Sequence, residues 1–521
     1  MKASVSKNIT LYLSYAFGVL CIFALYSVVQ RTHLESHIIN SDTLYLPSIY
    51  LDIFERGNSF SDWSINGAPN FFPDMFLFMG LNFVTGNFLL SIVLFSVVQY
   101  LLIVILLRSL VAAFWPNEAN KIVVLGNAFL LFLPLSAFIQ PNFEFAFQFI
   151  TNAYHLGPFV NALLVLWLIK QYWNTSKKSV LIGMIIVSAL AFSSDMLFVV
   201  FCTLPLLGTV GIYSFLEKKL PHKKAWFILL WHGIGLALGH LITRSIVSFT
   251  NLRSAGAKTT ISLQNMQDSW NMFTDQYSSY LSAFSLLGLF FIALIVSFAM
   301  AIVQVFKSGK NERYVFVFVS IFLILGLFAP IIMGVYFGYD TVRYNYAVYL
   351  IIPFVLAISF RKKAKILRYS ALGLYAFLIG SILLHNNDQN LGIWKYYPTR
   401  VDQFDALSEK ANLHRGIAPY WDAKLITMFS KHDVFLLNSF DELTPYEHVS
   451  NRTWWHIDPI TDEPMIFDFV IIGNDKHREN ALKLLGEPVN IIQNEHFQIF
   501  QYSGFIYPKG SYEPQLISLN K

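Results

Sequence analysis

Charge is scarce in this chain. Only 13% of its 521 residues are Asp, Glu, Lys or Arg, where a soluble domain carries about a quarter. With 55% of residues hydrophobic and 17% aromatic, that shortage excludes an ordinary soluble globule. Cysteine is nearly missing too. The two present, Cys21 and Cys202, sit inside apolar runs, which excludes a disulfide framework and a thiolate metal site. The formal net charge of +5 is too small to mark a nucleic-acid binder. No internal repeat is visible, and this counts against the secondary transporters, many of which are built from duplicated halves.

What the sequence has instead is a series of long apolar runs, each near the roughly 20 residues that cross a hydrocarbon core. They are too long and unbroken for barrel strands, so the chain reads as a polytopic α-helical membrane protein. About eleven spans are expected near 9–29, 88–113, 122–140, 157–172, 179–194, 196–216, 225–250, 283–306, 314–337, 344–360 and 367–385. The N-terminal run is longer than a signal h-region and lacks a small-residue cleavage site, so it reads as a retained first span. One set of loops holds Lys121, Lys177, Lys178, Lys218, Lys219, Lys223, Lys224, Lys307, Lys310, Arg313 and the stretch "RKKAKILR" (361–368). The other set holds only Arg31, Arg56, Arg253, Lys258 and Arg343. Positive residues concentrate on the cytoplasmic side, which predicts a cytoplasmic N-terminus and, after an odd number of spans, an outer C-terminus.

Residues 1–385 thus form the expected membrane domain, with a first outer loop over 30–87. Residues 386–521 are more polar, and helical and strand periods alternate there. "VDQFDALSEKANL", "YWDAKLITMFSKH" and "KHRENALKLLG" read as helices. "DVFLLN" and "FDFVIIG" read as strands, and "VNIIQNEHFQIFQY" as a hairpin. A small α/β domain with its own core is the expected result.

The first outer loop contains "IINSDTLYLPSIYLDIFERG" (38–57). Leu46, Ile49, Tyr50, Ile53 and Phe54 fall on one helical face, and Ser48, Asp52, Glu55 and Arg56 on the other. The spacing predicts an amphipathic helix lying in the headgroup layer, with Asp52 and Asp62 solvated. Asp42 and Asp74 have a plain reading as helix N-caps. A second short surface helix is expected over 76–83, and 251–282 is expected to be a polar loop.

One span, a long outer loop with an Asp soon after the membrane, surface helices in that loop, about ten further spans and an outer C-terminal α/β domain: this order resembles the GT-C glycosyltransferases. That group includes the protein mannosyltransferases, aminoarabinose transferases and arabinofuranosyltransferases. The closing stretch "FDFVIIGNDKHRENALKLLGEPVNIIQNEHFQIFQY" is similar in pattern to the ends of such enzymes. The resemblance implies transfer of a sugar from a polyprenyl-phosphate carrier to a hydroxyl of a glycan, lipid or protein outside the cytoplasm. It also implies a bacterial inner-membrane location and Asp42 as the general base. Many members carry two adjacent acidic residues in this loop, whereas here Asp42 is followed by Thr43. That departure weakens a metal-assisted variant and leaves a single-carboxylate mechanism, so no cofactor is expected, a divalent metal being the open alternative.

Such chemistry needs a carboxylate near the acceptor hydroxyl and fixed cations where charge develops on the leaving phosphate. His240 and Arg244 are four apart in the seventh span and share a face. Arg244 falls near its outer end, where it contacts either the carrier phosphate or ordinary headgroups. Arg343, in "GYDTVRYNYAVY", is either a phosphate ligand or the partner of Asp340 in a surface pair. Asp195 lies between two apolar runs, as a helix cap or as part of a cavity wall, and His155 and Glu144 flank a Phe-rich outer loop. Trp454 and Trp455 are candidates for stacking on a sugar ring, against the commoner use of such residues in core packing. An O-antigen polymerase or ligase, or a lipid-linked glycan transporter, is the alternative. The former carries its large outer part between spans, and the latter would line the bundle with mid-membrane charge.

Overall fold

The computed structural model describes residues 2–28, 35–135, 149–249, 253–254, 261–283, 285–361, 363–385 and 396–517. The chain divides into two compact units. The first comprises Met1–Val28, Ala68–Ser245 and Ala257–Asn390, and the second Val29–Gly67, Ile246–Gly256 and Leu391–Lys521.

In the first unit, among the described residues, each expected span contains a helix, and the 314–337 stretch leaves its helix at Ile332. The helices are Lys2–Val28, Phe88–Phe114, Ala119–Leu135, Gly157–Thr175, Lys178–Ser194, Leu204–Glu217, Lys223–Phe249, Leu286–Lys307, Lys310–Ile332, Tyr346–Ser359 and Ala364–His385. Among the described residues, seven helical segments are long and apolar enough to cross a membrane, so this is a multi-pass membrane protein. Phe76–Thr85 is the expected short helix. The stretch expected as a polar loop is instead largely the helix Leu263–Ser282, opened by the Ser262 hydroxyl accepting the Asn265 N–H. It escaped the sequence reading because it is polar on most of its surface. Phe273 and Tyr277 are buried on one side, where Tyr277 meets Phe291 and the Tyr349 hydroxyl.

Several cations of the strongly basic loops are paired in this unit. Arg313 and Lys310 reach Glu217 at 2.5 and 3.1 Å. Arg361 reaches Glu312 at 3.0 Å and lies over the Trp115 ring. His232, deep in its helix, is held by the Ser188 and Thr203 hydroxyls, 2.9 Å each.

The second unit is built on a mixed sheet in the order Phe435–Asn438, Arg415–Ala418, Phe467–Ile471, Gln498–Ile506, Asn490–Gln493. The first three strands run parallel and the later pairs antiparallel. Helices Thr399–Ala411, Tyr420–Phe429 and Asp475–Leu485 fall where the periodicity places them, the last ending at Gly486 with φ +70°. A positive φ at a helix end favours glycine. Within this unit a second, three-stranded sheet joins distant stretches of chain. Trp63–Ile65 pairs parallel with Arg253–Ser254 and antiparallel with Ser450–Asn451.

The first outer loop is accordingly part of this second unit up to Gly67. Leu46 and Ile49 are fully buried there, rather than lying against headgroups. Asp52, expected in water, is completely inaccessible. One carboxylate oxygen accepts from Asn58 Nδ2 (2.7 Å) and Trp454 Nε1 (3.2 Å), the other from Trp63 Nε1 (2.7 Å) and Asn451 Nδ2 (2.9 Å). The charge is carried inside because both oxygens are filled by donors. Trp454 and Trp455 are core residues, 6% and 3% exposed. Trp454 stands edge-on to Trp63 and Phe435, and Trp455 packs on Phe467 and Tyr507. Neither ring has a free face for a sugar.

Candidate functional site

Among the described residues, each unit holds a cluster of polar groups with the means for chemistry. In the second unit it centres on Asp42. The turn from Asn40 to Thr43 closes without the Asp42 side chain: Asn40 Oδ1 accepts the N–H groups of Asp42 and Thr43, 3.1 Å each, and the Asn40 N–H donates to Thr43 Oγ1 at 2.9 Å. The helix that follows, Tyr45–Tyr50, has Leu44 at its N-cap and no side-chain cap. The capping alternative for Asp42 is therefore removed, and Asn40 closes the turn instead. The half-buried Asp42 carboxylate accepts the phenol O–H of Tyr420 at 2.5 Å, and the neighbouring Ser41 hydroxyl donates to the Tyr420 carbonyl at 2.5 Å. Two successive residues thus grip the first residue of the Tyr420–Phe429 helix.

One turn further along that helix is Lys424, on the same face as Tyr420. It is 6% exposed, its Nζ has no hydrogen-bond partner among the described residues, and the amine lies 5.3 Å from the centre of the Tyr420 ring. Burial pulls the amine down to about 7, with the Asp42 charge opposing. Lys424, Arg56, Ser48, Thr427 and Asn438 line a small cavity beside it. Tyr446 and His448 also pack on Tyr420, at 5.5 and 5.7 Å between ring centres.

The cluster in the first unit gathers around Asp195 and His155. Asp195 follows the Lys178–Ser194 helix, and its Oδ1 accepts the Leu197 N–H at 2.9 Å, as in the cap reading, one of the two open for it. Its other oxygen meets His155 Nδ1 at 2.7 Å. The imidazole packs on Tyr344 at 5.0 Å, and the Arg343 guanidinium lies 5.4 Å from the centre of the same Tyr344 ring. Both His155 and Ala153 adopt φ of +61°, a region that residues with a Cβ seldom enter and that concentrates at functional sites.

Asp74 joins this cluster. The Asn70 N–H donates to the Ser194 carbonyl (3.2 Å), the Phe72 N–H to the Ser194 hydroxyl (2.8 Å), and Asn161 Nδ2 to the Phe72 carbonyl (3.0 Å). These bonds lay the 70–75 stretch beside the end of the Lys178–Ser194 helix. Asp74 is 1% exposed, Oδ1 takes the Ala153 N–H at 3.4 Å, and Oδ2 has no partner among the described residues. A Cβ on Gly157 would fall 2.2 Å from that Oδ2, so the carboxyl rests against bare backbone. Burial pushes its carboxyl up to about 7, with Asp195 adding to the rise and His155 opposing it. A carboxyl poised there changes charge near neutral pH. Asp74 is thus not the helix cap expected of it.

The structure brings His155, Asp195 and Arg343 together through Tyr344. His240 and Arg244 stand apart, exposed on the Lys223–Phe249 helix. That helix packs through Gly235 and Gly239 against Ile185, Ser188 and Ala189, while the His240 ring meets Phe192 edge-on at 6.3 Å. Glu144 lies outside the described residues, as does the Asp340 side chain. Sequence reasoning missed Lys424 and Tyr420. The available signal was a lysine in "YWDAKLITMF", on a turn otherwise buried in the core. Among the described residues, no three His, Cys, Asp or Glu side chains gather as a metal site.

No family model matches the sequence, and no curated protein matches it. Among solved structures, the crystal structure of ArnT from Cupriavidus metallidurans bound to undecaprenyl phosphate is similar, with a TM-score of 0.55. Sequence identity is 9%, and the match covers 94% of this chain and 97% of that one. At this identity the likeness is one of fold, running across membrane helices and terminal sheet alike.

Proposed function

This multi-pass membrane protein with the GT-C fold is, we propose, a polyprenyl-phosphate-dependent glycosyltransferase. The observation that carries the reading is the near-complete coverage of both chains in the match to ArnT, a protein crystallised with undecaprenyl phosphate. Asp42, released from capping and bonded to a phenol, supports its assignment as the base. A hydroxyl of a glycan, lipid or protein attacks the anomeric carbon of the donor sugar. Its proton passes to Asp42, and the bond from that carbon to the phosphate oxygen breaks with its electron pair on the phosphate. Tyr420 spends one acceptor site of Asp42 and leaves the carboxylate capacity for the incoming hydroxyl.

The departing lipid phosphate needs cationic or neutral donors. Arg343, its guanidinium over Tyr344, and His155, oriented by Asp195, are assigned to it. Arg244 and His240, exposed on their helix, are assigned to the carrier at headgroup level. The distribution of Lys and Arg along the loops supports a reaction on the extracytoplasmic face of the bacterial inner membrane, with the N-terminus cytoplasmic and the tail periplasmic.

The test is transfer from a panel of labelled polyprenyl-phosphate sugars to acceptors in membrane extracts, comparing wild type with Asp42→Asn. Transfer by wild type and a loss of at least about a hundredfold in the variant are expected for removal of a general base. Equal turnover removes Asp42 from that role. No transfer from any carrier overturns the enzymatic reading and favours transport.

A further inference from the structure

Lys424 plays no part in the reaction as assigned, yet it is the buried ionisable side chain packed directly on the residue that holds Asp42. Its amine lies 5.3 Å from the centre of the Tyr420 ring and hydrogen-bonds to no described residue, while the phenol O–H of that ring donates to Asp42 at 2.5 Å. An ammonium over an aromatic face is held by the ring quadrupole, and more strongly when desolvated. An amine with no hydrogen-bonding partner has only that ring and the nearby carboxylate to answer its charge. We propose that Lys424 is a positioning residue: its ammonium clamps the Tyr420 ring, and through it fixes the carboxylate of Asp42 in the orientation that receives the acceptor's proton. The inference rests on the assignment of Asp42 as the base.

The charged and titratable groups around Lys424 come from several elements. Asp42 and Arg56 face it from the 35–67 stretch, Arg56 as a lining residue of the same cavity. Asp52, also from that stretch, is saturated by its four donors. On its own helix Tyr420 is the contact, and Asp422 is paired to Arg400 of the Thr399–Ala411 helix. Tyr446 and His448 also pack on the Tyr420 ring. Of these, Asp42 is the charge that favours the ammonium, against a burial that pulls the amine down to about 7. The clamp therefore weakens as pH rises through neutrality, when the amine loses its charge.

The experiment measures kcat and KM for sugar transfer between pH 6 and pH 9 in the full-length protein. The variants are Lys424→Met, Lys424→Arg, Tyr420→Phe and the double variant Lys424→Met/Tyr420→Phe. For wild type, kcat is expected to fall by about threefold to tenfold across neutrality, with KM nearly constant. Lys424→Met is expected to sit at the low, alkaline level at every pH. Lys424→Arg, whose charge persists, keeps the high level through pH 9. Lys424→Met costs nothing further in the Tyr420→Phe background, because its effect passes through the phenol. A purely structural lysine gives additive losses and an unchanged pH profile, and that result overturns the proposal while leaving the glycosyltransferase reading intact. Absence of transfer by wild type at any pH overturns both, so the two failures are distinct.

Discussion

Replacing Asp52 by Ala tests whether this carboxylate belongs to the surface or to the interior. The sequence places it on the polar side of an amphipathic helix, where its removal costs at most about 0.5 kcal/mol. In the structure it is inaccessible and accepts four N–H donors, two at each oxygen. Asn58 is partly exposed and can turn to water, but the Trp63, Asn451 and Trp454 donors are buried. Each stranded donor costs about 1–3 kcal/mol, and three in one pocket do not add fully. A loss of about 4 kcal/mol is expected. At about 2–4 °C per kcal/mol for a body of this size, the second unit should melt about 10 °C lower. The assay is thermal unfolding of the detergent-solubilised protein followed by tryptophan emission, since Trp63 and Trp454 report on the site. Limited proteolysis gives a parallel measure of how firmly residues 35–67 are held. Asp52→Asn keeps one accepting oxygen and should fall between wild type and Asp52→Ala. Melting of Asp52→Ala within about 1 °C of wild type would refute the buried anchor and restore the solvated helix.

Gly157→Ala sets a methyl 2.2 Å from Asp74 Oδ2 and should cost about 1–3 kcal/mol by overpacking. Gly80→Ala, on a helix with nothing within 4 Å, should be neutral or stabilising by up to about 1 kcal/mol; melting of the pair checks both. The raised Asp74 carboxyl binds its proton more tightly in the fold than in the unfolded chain. Its contribution is therefore whole below about pH 4 and is lost as pH rises through about 7, at about 1.4 kcal/mol per unit; Asp74→Asn should be free of that slope in urea titrations at pH 5, 6 and 7. Lys424, pulled down to about 7, has the opposite sign. The unfolded chain holds more protons between about 7 and 10.5, so stability rises with pH over that window, and Lys424→Met should abolish the rise.

Local pattern made the three helices of the tail and most strands of its mixed sheet legible, but none of the three short strands of the second sheet. "KHRENALKLLG" carries its period and its stop, and the observed helix ends one residue before the expected glycine. Burial of the loop was not legible. Asp52 is inside because of Asn451 and Trp454, 399 and 402 positions away, and no local period announces partners at that distance. Asp42 and Tyr420 meet across 378 positions, so the base candidate was found by resemblance and its holder only by structure. His155 and Asp195 were each visible as unusual residues beside apolar runs, but their pairing depends on how two turns are packed. Asp74 looked like a cap because Asp after Pro usually is one; the cap reading fails because the 70–75 stretch is drawn in by Ser194 and Asn161.

The small sheet that joins Trp63–Ile65, Arg253–Ser254 and Ser450–Asn451 dictates an order of assembly. Its strands leave the ribosome nearly two hundred residues apart at each step, so the earliest waits, unzipped, while intervening helices are threaded into the bilayer. The soluble-looking tail is consequently a poor candidate for excision: expressed from residue 391 onward, it would leave behind the strand that borders Ser450 and the carboxylate that two of its own side chains were shaped to serve.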